Sequence, residues 1–152
     1  MSKDTTAPID AAARPVVVID TNVWLDLLVF DDPASRALRT ALDAGRLDVV
    51  MSDRCEAEWQ VIVAQPRWDA RGVDRPALHR ALAEATRRLP ADLPLPRPVP
   101  VCRDRHDQKF VELALRAHAG WLISKDRDLL KLRRRMAQHG CTVVDPAAFP
   151  LA

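Results

Sequence analysis

In the segment Val16-Val17-Val18-Ile19-Asp20-Thr21-Asn22, four apolar residues in succession end at a carboxylate. A near-continuous apolar run of this length is typical of a strand that is buried on both faces of a parallel sheet. Open α/β sheets bind ligands at the carboxyl ends of their strands. The stretch therefore predicts a first strand at 16–19 and a functional acid, Asp20, at its end.

Strand-like and helix-like segments alternate along the rest of the chain. We predict further strands at 47–51, 99–102, 121–123 and 141–144. The predicted helices lie at about 33–44, 53–65, 75–89, 107–118 and 126–138, with capping residues or prolines at their starts. Strands that alternate with helices indicate a five-stranded parallel sheet that is covered on both faces.

A proline-rich segment interrupts this alternation between Pro90 and Pro100, where five of eleven residues are proline. Such a segment is not helical and favours an extended conformation. We interpret it as a surface connection, because too little sequence follows it to build a second core. The predicted organisation is a disordered lead at 1–14, one domain at 15–148 and a short tail at 149–152.

The composition is that of an ordinary globular protein, with 152 residues of which 48% are hydrophobic and 29% charged. The net charge of +2 does not by itself indicate a nucleic-acid-binding protein, although a basic patch beside an acidic site would cancel in this sum. No apolar run approaches the roughly 20 residues that cross a bilayer, and no signal peptide is recognisable. The three cysteines are far apart, which fits neither a disulfide framework nor a zinc cluster. We predict a soluble, cytoplasmic protein.

Three more acids lie at positions comparable to that of Asp20. Asp107 opens a predicted helix, Asp126 follows the fourth strand, and Glu58 lies in the helix after the second strand. Carboxylates that meet at one edge of a sheet repel one another unless a cation is present, and Mg²⁺ or Mn²⁺ prefers such oxygen ligands. An ion held there activates water and stabilises the charge that develops on a phosphodiester.

Each of these acids also has a simpler interpretation. Asp20 is a residue type that favours a turn after a strand, and Glu58 suits a solvated helix face. Asp107 complements a helix dipole, and either Asp126 or Asp128 could be the N-cap of the last helix. The functional interpretation is favoured by the convergence of all four positions in the expected topology.

Basic residues accompany the acids. Arg127, Lys131, Arg134 and Arg135 are spaced to share one face of the last predicted helix, and Arg103 and Arg105 precede Asp107. We predict that these six residues guide an RNA backbone toward the metal site, the alternative being an ordinary solvated surface.

Three segments together resemble the PIN-domain nucleases. They are the stretch 17–23, the Asp-x-Lys-Phe motif at 107–110 and Leu-Ile-Ser-Lys-Asp-Arg-Asp-Leu-Leu at 122–130. The resemblance covers about residues 15–148, and its specificity comes from the order and spacing of the segments, including an alanine seven residues after Asp107. The most similar subgroup consists of toxin components of bacterial toxin–antitoxin systems.

The resemblance implies a three-layer α/β/α sandwich and Mg²⁺- or Mn²⁺-dependent cleavage of single-stranded RNA. Toxin members bind an antitoxin and often form homodimers, so it implies these partners as well. The residues that it assigns are the acidic quartet Asp20, Glu58, Asp107 and Asp126, a fifth acid at Asp128, and the supporting polar residues Thr21, Asn22 and Ser124. The predicted metal ligands are Asp20, Asp107, Asp126 and Asp128.

Some alternatives stay open at this stage. Glu56 competes with Glu58, Asp126 with Asp128, and Asp104 with Asp107, although Asp107 has the spacing of the family. A non-catalytic module that binds RNA or protein, or a housekeeping RNA-processing nuclease, is the alternative function. A phosphotransferase of the haloacid dehalogenase type is disfavoured, because Asn22 stands where that chemistry needs a second acid.

Overall fold

Five parallel strands form one central sheet in the computed structural model, which describes residues 14–149. The strands are β1 (Val16–Ile19), β2 (Asp48–Met51), β3 (Arg87–Arg88), β4 (Trp121–Ile123) and β5 (Thr142–Val144). Their order across the sheet is β3-β2-β1-β4-β5, and every neighbouring pair is parallel. The predicted α/β architecture, with helices on both sides of a five-stranded parallel sheet, is confirmed.

Seven α-helices connect and cover the strands of the described chain. They are α1 (Thr21–Leu25), α2 (Arg36–Asp43), α3 (Asp53–Val63), α4 (Arg75–Ala85), α5 (Gln108–Ala117), α6 (Arg127–Leu130) and α7 (Arg133–Ala137). A π-helical turn, Asp26–Phe30, continues α1, and 3₁₀ turns lie at Pro33–Ser35, Pro66–Arg71, Arg105–Asp107 and Pro146–Ala148. Side chains that precede helices accept hydrogen bonds from the first turn, as those of Ser52 and Asp74 do before α3 and α4.

The first strand lies at the centre of the sheet and of the core. Val17 and Val18 are fully buried, and β1 pairs with β2 on one side and with β4 on the other. Each such side chain contributes about 1.5–3 kcal/mol when it is removed from water. The central position of β1 places the carboxyl end of this strand, and thus Asp20, in the middle of the sheet edge.

The predicted third strand at 99–102 is wrong. The strand is Arg87–Arg88, which pairs with Val50 and Met51 of β2, and α4 ends at Ala85 instead of continuing to Leu89. Pro98 and Pro100 have no backbone N–H to donate to a strand ladder, whereas both arginines have one. The proline-rich connection belongs to a longer segment, residues 89–104, that forms no helix or strand.

The single helix predicted at 126–138 is also wrong, because it is divided into α6 and α7. The Leu132 amide binds the carbonyl of Leu129, three residues back, and the ψ angle of Leu132 is 5°. This tighter turn allows Leu129, Leu132 and Met136 all to be buried. The basic residues of this region therefore do not form one continuous helical face.

Residues 1–13 and 150–152, and with them nearly all of the predicted lead and tail, lie outside the described residues. Phe149 packs edge-to-face on Trp121, with ring centroids 4.9 Å apart. None of the helices within 14–149 has the length and apolarity needed to cross a bilayer.

Candidate active site

The carboxyl ends of β1 and β4 bring two distant aspartates to the same edge of the sheet. Ile19 pairs with Ile123, so Asp20 and the segment after β4 leave the sheet side by side. Ser124 joins them, because its hydroxyl donates a hydrogen bond to Asp20 Oδ2 and accepts one of 2.9 Å from the Asp126 amide. Asp20 Oδ1 accepts a 3.0 Å bond from the Val23 amide and thereby caps α1.

Three further aspartates form an acidic cluster beside Asp20. One carboxylate oxygen from each of Asp104, Asp107 and Asp126 lies within 4.8 Å of the other two. Asp104 caps the 3₁₀ turn that ends at Asp107, and Asp126 caps α6. Capping and cluster formation are thus compatible at Asp126, and its role as a metal ligand stays a prediction.

Burial and the neighbouring negative charges disfavour the charged forms of Asp107 and Asp20. Burial, contact with the Asp126 carboxyl group and the charges of Asp126, Asp104 and Asp20 together raise the pKa of Asp107 to about 7. Burial likewise raises the pKa of Asp20 to about 6, although its hydrogen bonds from Ser124 and Val23 oppose the shift. The acids therefore behave as one electrostatic unit.

One observation, independent of the charge of the cluster, indicates that the cluster suits a divalent cation. Asp107 Oδ2 is buried and has no hydrogen-bond partner within residues 14–149. A buried carboxylate oxygen without a partner is costly, and a cation that coordinates it removes that cost. Several carboxylate oxygens are the donor set that Mg²⁺ and Mn²⁺ prefer.

Glu58 lies beside this cluster and is held by two partners. Its carboxylate accepts a 2.5 Å hydrogen bond from Thr21 Oγ1 and lies 2.5 Å from Lys109 Nζ. The Lys109 side chain is only 12% exposed. Glu56 instead pairs with Arg88. Of the two glutamates, Glu58 is therefore the one that contacts the site.

The other predicted residues differ in burial, and one of them contacts the cluster. Asp128 is half-buried, and its amide donates a 2.7 Å bond to Asp126 Oδ1. Asn22 is exposed. The six basic residues predicted to contact RNA, namely Arg103, Arg105, Arg127, Lys131, Arg134 and Arg135, are all exposed.

Two residues of the site were not assigned from the sequence. Asp104 was set aside in favour of Asp107, yet the 3₁₀ turn between them brings both carboxylates into the cluster. The signal that could have found it is the three-residue spacing of the two acids. Lys109 pairs with Glu58 across 51 positions of sequence, a contact that local spacing does not reveal.

A buried ion pair supports the segment that carries Asp126. Asp26 Oδ2 is buried in the π-helical turn without a hydrogen bond among the described residues, and it lies 2.5 Å from Lys125 Nζ. The Asp26 side chain is 7% exposed and that of Lys125 is 45% exposed. Lys125 therefore supplies the charge that neutralises Asp26.

We expect Lys125→Met to lower the free energy of unfolding by roughly 1–3 kcal/mol, because it leaves the Asp26 carboxylate buried without a counter-charge. This loss of stability is smaller than that expected for a fully buried ion pair, because the lysine is half-exposed. Urea denaturation measures the change, with Lys131→Met at an exposed position as the control. Equal stability of the two variants would show that the pair does not support the fold.

Comparisons with known proteins agree with this geometry. Searches of curated proteins and of solved structures gave no significant match. A family model described as PIN domain matches residues 16–128, which include Asp20, Glu58 and the acidic cluster. Because this match spans most of the chain, the protein belongs to the PIN domain family, whose members are generally nucleases and typically use divalent metals.

Proposed function

We propose that the protein is a Mg²⁺- or Mn²⁺-dependent endoribonuclease that cleaves single-stranded RNA by means of an activated water. The observation that carries the proposal is the buried Asp107 oxygen without a partner, in a cluster with Asp104 and Asp126. Membership of a family of nucleases supports phosphodiester hydrolysis as the reaction.

In this proposal Asp104, Asp107 and Asp126 hold the cation. When bound, such an ion lowers the pKa of a coordinated water and stabilises the charge that develops on the phosphodiester. Asp20 is fixed by hydrogen bonds from Val23 and Ser124, so its carboxylate holds its orientation without reorganising during the reaction.

Cations of the chain complement this negative centre. Lys109 holds Glu58 in place and lies at the side of the site where α5 begins. Exposed arginines at 103 and 105 flank Asp104, and the basic residues of α6 and α7 lie beyond Asp126. We propose that these side chains attract the RNA phosphates, which gives binding that weakens as salt is added.

The toxin role, the antitoxin partner and the homodimer rest on the sequence resemblance and stay predictions. An adjacent short gene for a DNA-binding protein would favour the toxin role, and a solitary gene would favour RNA processing. The non-catalytic alternative is less favoured, because a module that only binds RNA has no need of an acidic cluster that repels phosphates.

Metal removal tests the proposal. We expect metal-free protein to leave a short single-stranded RNA intact and to cleave it when Mn²⁺ is added in excess over the chelator. Asp20→Asn protein, purified in parallel, serves as the control for contaminating ribonucleases and is expected to show no cleavage. Cleavage that persists in excess chelator, or RNA binding without cleavage in Mn²⁺, would contradict the proposed reaction.

A further inference from the structure

A groove of about 200 Å³ lies next to the candidate site and is not part of the acidic cluster. Its walls are the start of α3, the residues that follow β3, and one side of α5. Leu89 and Leu113 form an apolar floor, and both are almost fully buried. The groove is smaller than the roughly 300–1,000 Å³ of small-molecule sites, so its size suits a single nucleotide rather than a large cofactor.

Three cations and two acids lie at the rim of the groove, and Arg54 is the cation with the weakest pairing. Arg54, Lys109 and Arg116 line it, together with two acids, Asp53 and Glu112. Both acids already have arginine partners: Asp53 lies 3.0 Å from Arg88, and Glu112 lies 3.5 Å from Arg116. The side chain of Arg54 is 78% exposed and approaches Glu112 only to 4.0 Å, so it can turn toward a ligand at little cost.

Lys109 connects the groove to the candidate active site. It lines the groove, and its ammonium group contacts the Glu58 carboxylate that is held by Thr21. Ser52 and Leu89 follow β2 and β3, so the groove opens at the same carboxyl edge of the sheet as Asp20 and Asp126. A single strand of RNA that passes over the acidic cluster can therefore continue into the groove.

We propose that this groove binds one nucleotide of single-stranded RNA adjacent to the phosphodiester that is cut, an inference that rests on the proposed function. The base lies on the apolar floor at Leu89 and Leu113, and the flanking phosphate faces Arg54 and Arg116. Single strands are usually bound by side-chain surfaces that take up unpaired bases, most often aromatic ones, together with cations for the backbone. In this groove Leu89 and Leu113 supply the apolar surface. The base must be unpaired to lie on this floor, because the bases of a duplex are stacked and paired inside the helix.

Equilibrium binding of a fluorescent RNA of about six nucleotides tests the groove, with each variant combined with Asp107→Asn so that cleavage does not interfere. Ala91 is exposed at the rim, and Ala91→Trp fills the groove. We expect it to raise Kd about tenfold, which is within the range for loss of one bound base. Arg54→Ala is expected to raise Kd about threefold and to reduce the salt dependence by about one phosphate contact.

Matched controls distinguish loss of binding in the groove from general effects of the same substitutions on the protein. Ala83→Trp and Arg80→Ala make the same changes at exposed positions of α4 outside the groove, and they are expected to bind like the parent. Arg54→Ala keeps the test decisive if Ala91→Trp does not fold. If both groove variants have the Kd of the parent while the wild type cleaves RNA, the proposal that the groove binds a nucleotide is overturned and the nuclease proposal stands. Groove-dependent binding by a protein that never cleaves RNA would support the groove and overturn the nuclease proposal.

Discussion

Asp107→Asn is expected to reduce RNA cleavage by about a thousandfold, because it removes a ligand of the proposed cation. Such a cation stabilises the transition state by several kcal/mol, and each 1.4 kcal/mol lost lowers the rate tenfold. Asp107 has a carboxylate oxygen that is buried without a partner in the described structure, and the amide is close in size to the carboxyl group. The fold is therefore expected to stay intact. Initial rates in saturating Mn²⁺ measure the effect.

The stability of this variant distinguishes loss of chemistry from loss of structure. Burial and the charge of Asp126 raise the pKa of Asp107, so removing its charge at neutral pH relieves repulsion in the metal-free protein. We expect the metal-free melting temperature to rise in Asp107→Asn. The control Asp43→Asn breaks only an exposed ion pair with Arg39, and we expect it to cause no rise. Wild-type cleavage by Asp107→Asn would remove this residue from the proposed mechanism.

The second large effect is a loss of stability of the metal-free protein as the pH rises. The pKa of Asp20 is raised from 3.8 to about 6 in the fold, mainly by burial, so the folded state binds this proton more tightly than the unfolded chain. Its contribution is fully present below about pH 4 and is lost as the pH rises through about 6, by an amount on the order of 2–3 kcal/mol. Asp107, with its pKa of about 7, acts in the same direction.

Asp20→Asn removes this contribution, together with the part of the Asp107 shift that the Asp20 charge causes, and leaves titrating groups distant from the site unchanged. The amide keeps an oxygen for the Val23 amide, and it does not ionise. We expect the unfolding free energy of Asp20→Asn minus that of the wild type to increase between about pH 4 and pH 7 in the presence of chelator. Mn²⁺ at neutral pH is expected to restore wild-type stability, because a ligand that binds only the folded state stabilises it. A difference that is constant with pH would contradict the burial of an ionisable Asp20.

The parts of the fold that follow from local pattern were predictable. The apolar run 16–19 gave β1, and the parallel arrangement brought Asp20 and Asp126 to one edge, as expected. The third strand was missed because Arg87–Arg88 pairs through its backbone alone, and two exposed arginines have no apolar pattern to reveal a strand. An edge strand of two residues needs only one strong neighbour, and β2 provides it.

The site was predictable in outline but not in its membership. Asp107 and Asp126 lie in the cluster, whereas Asp104 enters it through a 3₁₀ turn that the helical pattern does not encode. The contact of Glu58 with Lys109 depends on how α3 and α5 pack, which is a tertiary property. The division between α6 and α7 likewise follows from the burial of Leu132.

Direct titration of Mn²⁺ into metal-free protein, followed by the electron paramagnetic resonance of the free ion, tests most directly whether the acids share a cation. Asp104→Asn and Asp107→Asn probe the cluster, and Asp43→Asn is the control. We expect saturable binding by the wild type and the control, and binding at least about tenfold weaker in both cluster variants. Wild-type protein that shows no saturable binding, or cluster variants that bind Mn²⁺ as tightly as the control, would contradict a cation site shared by these acids.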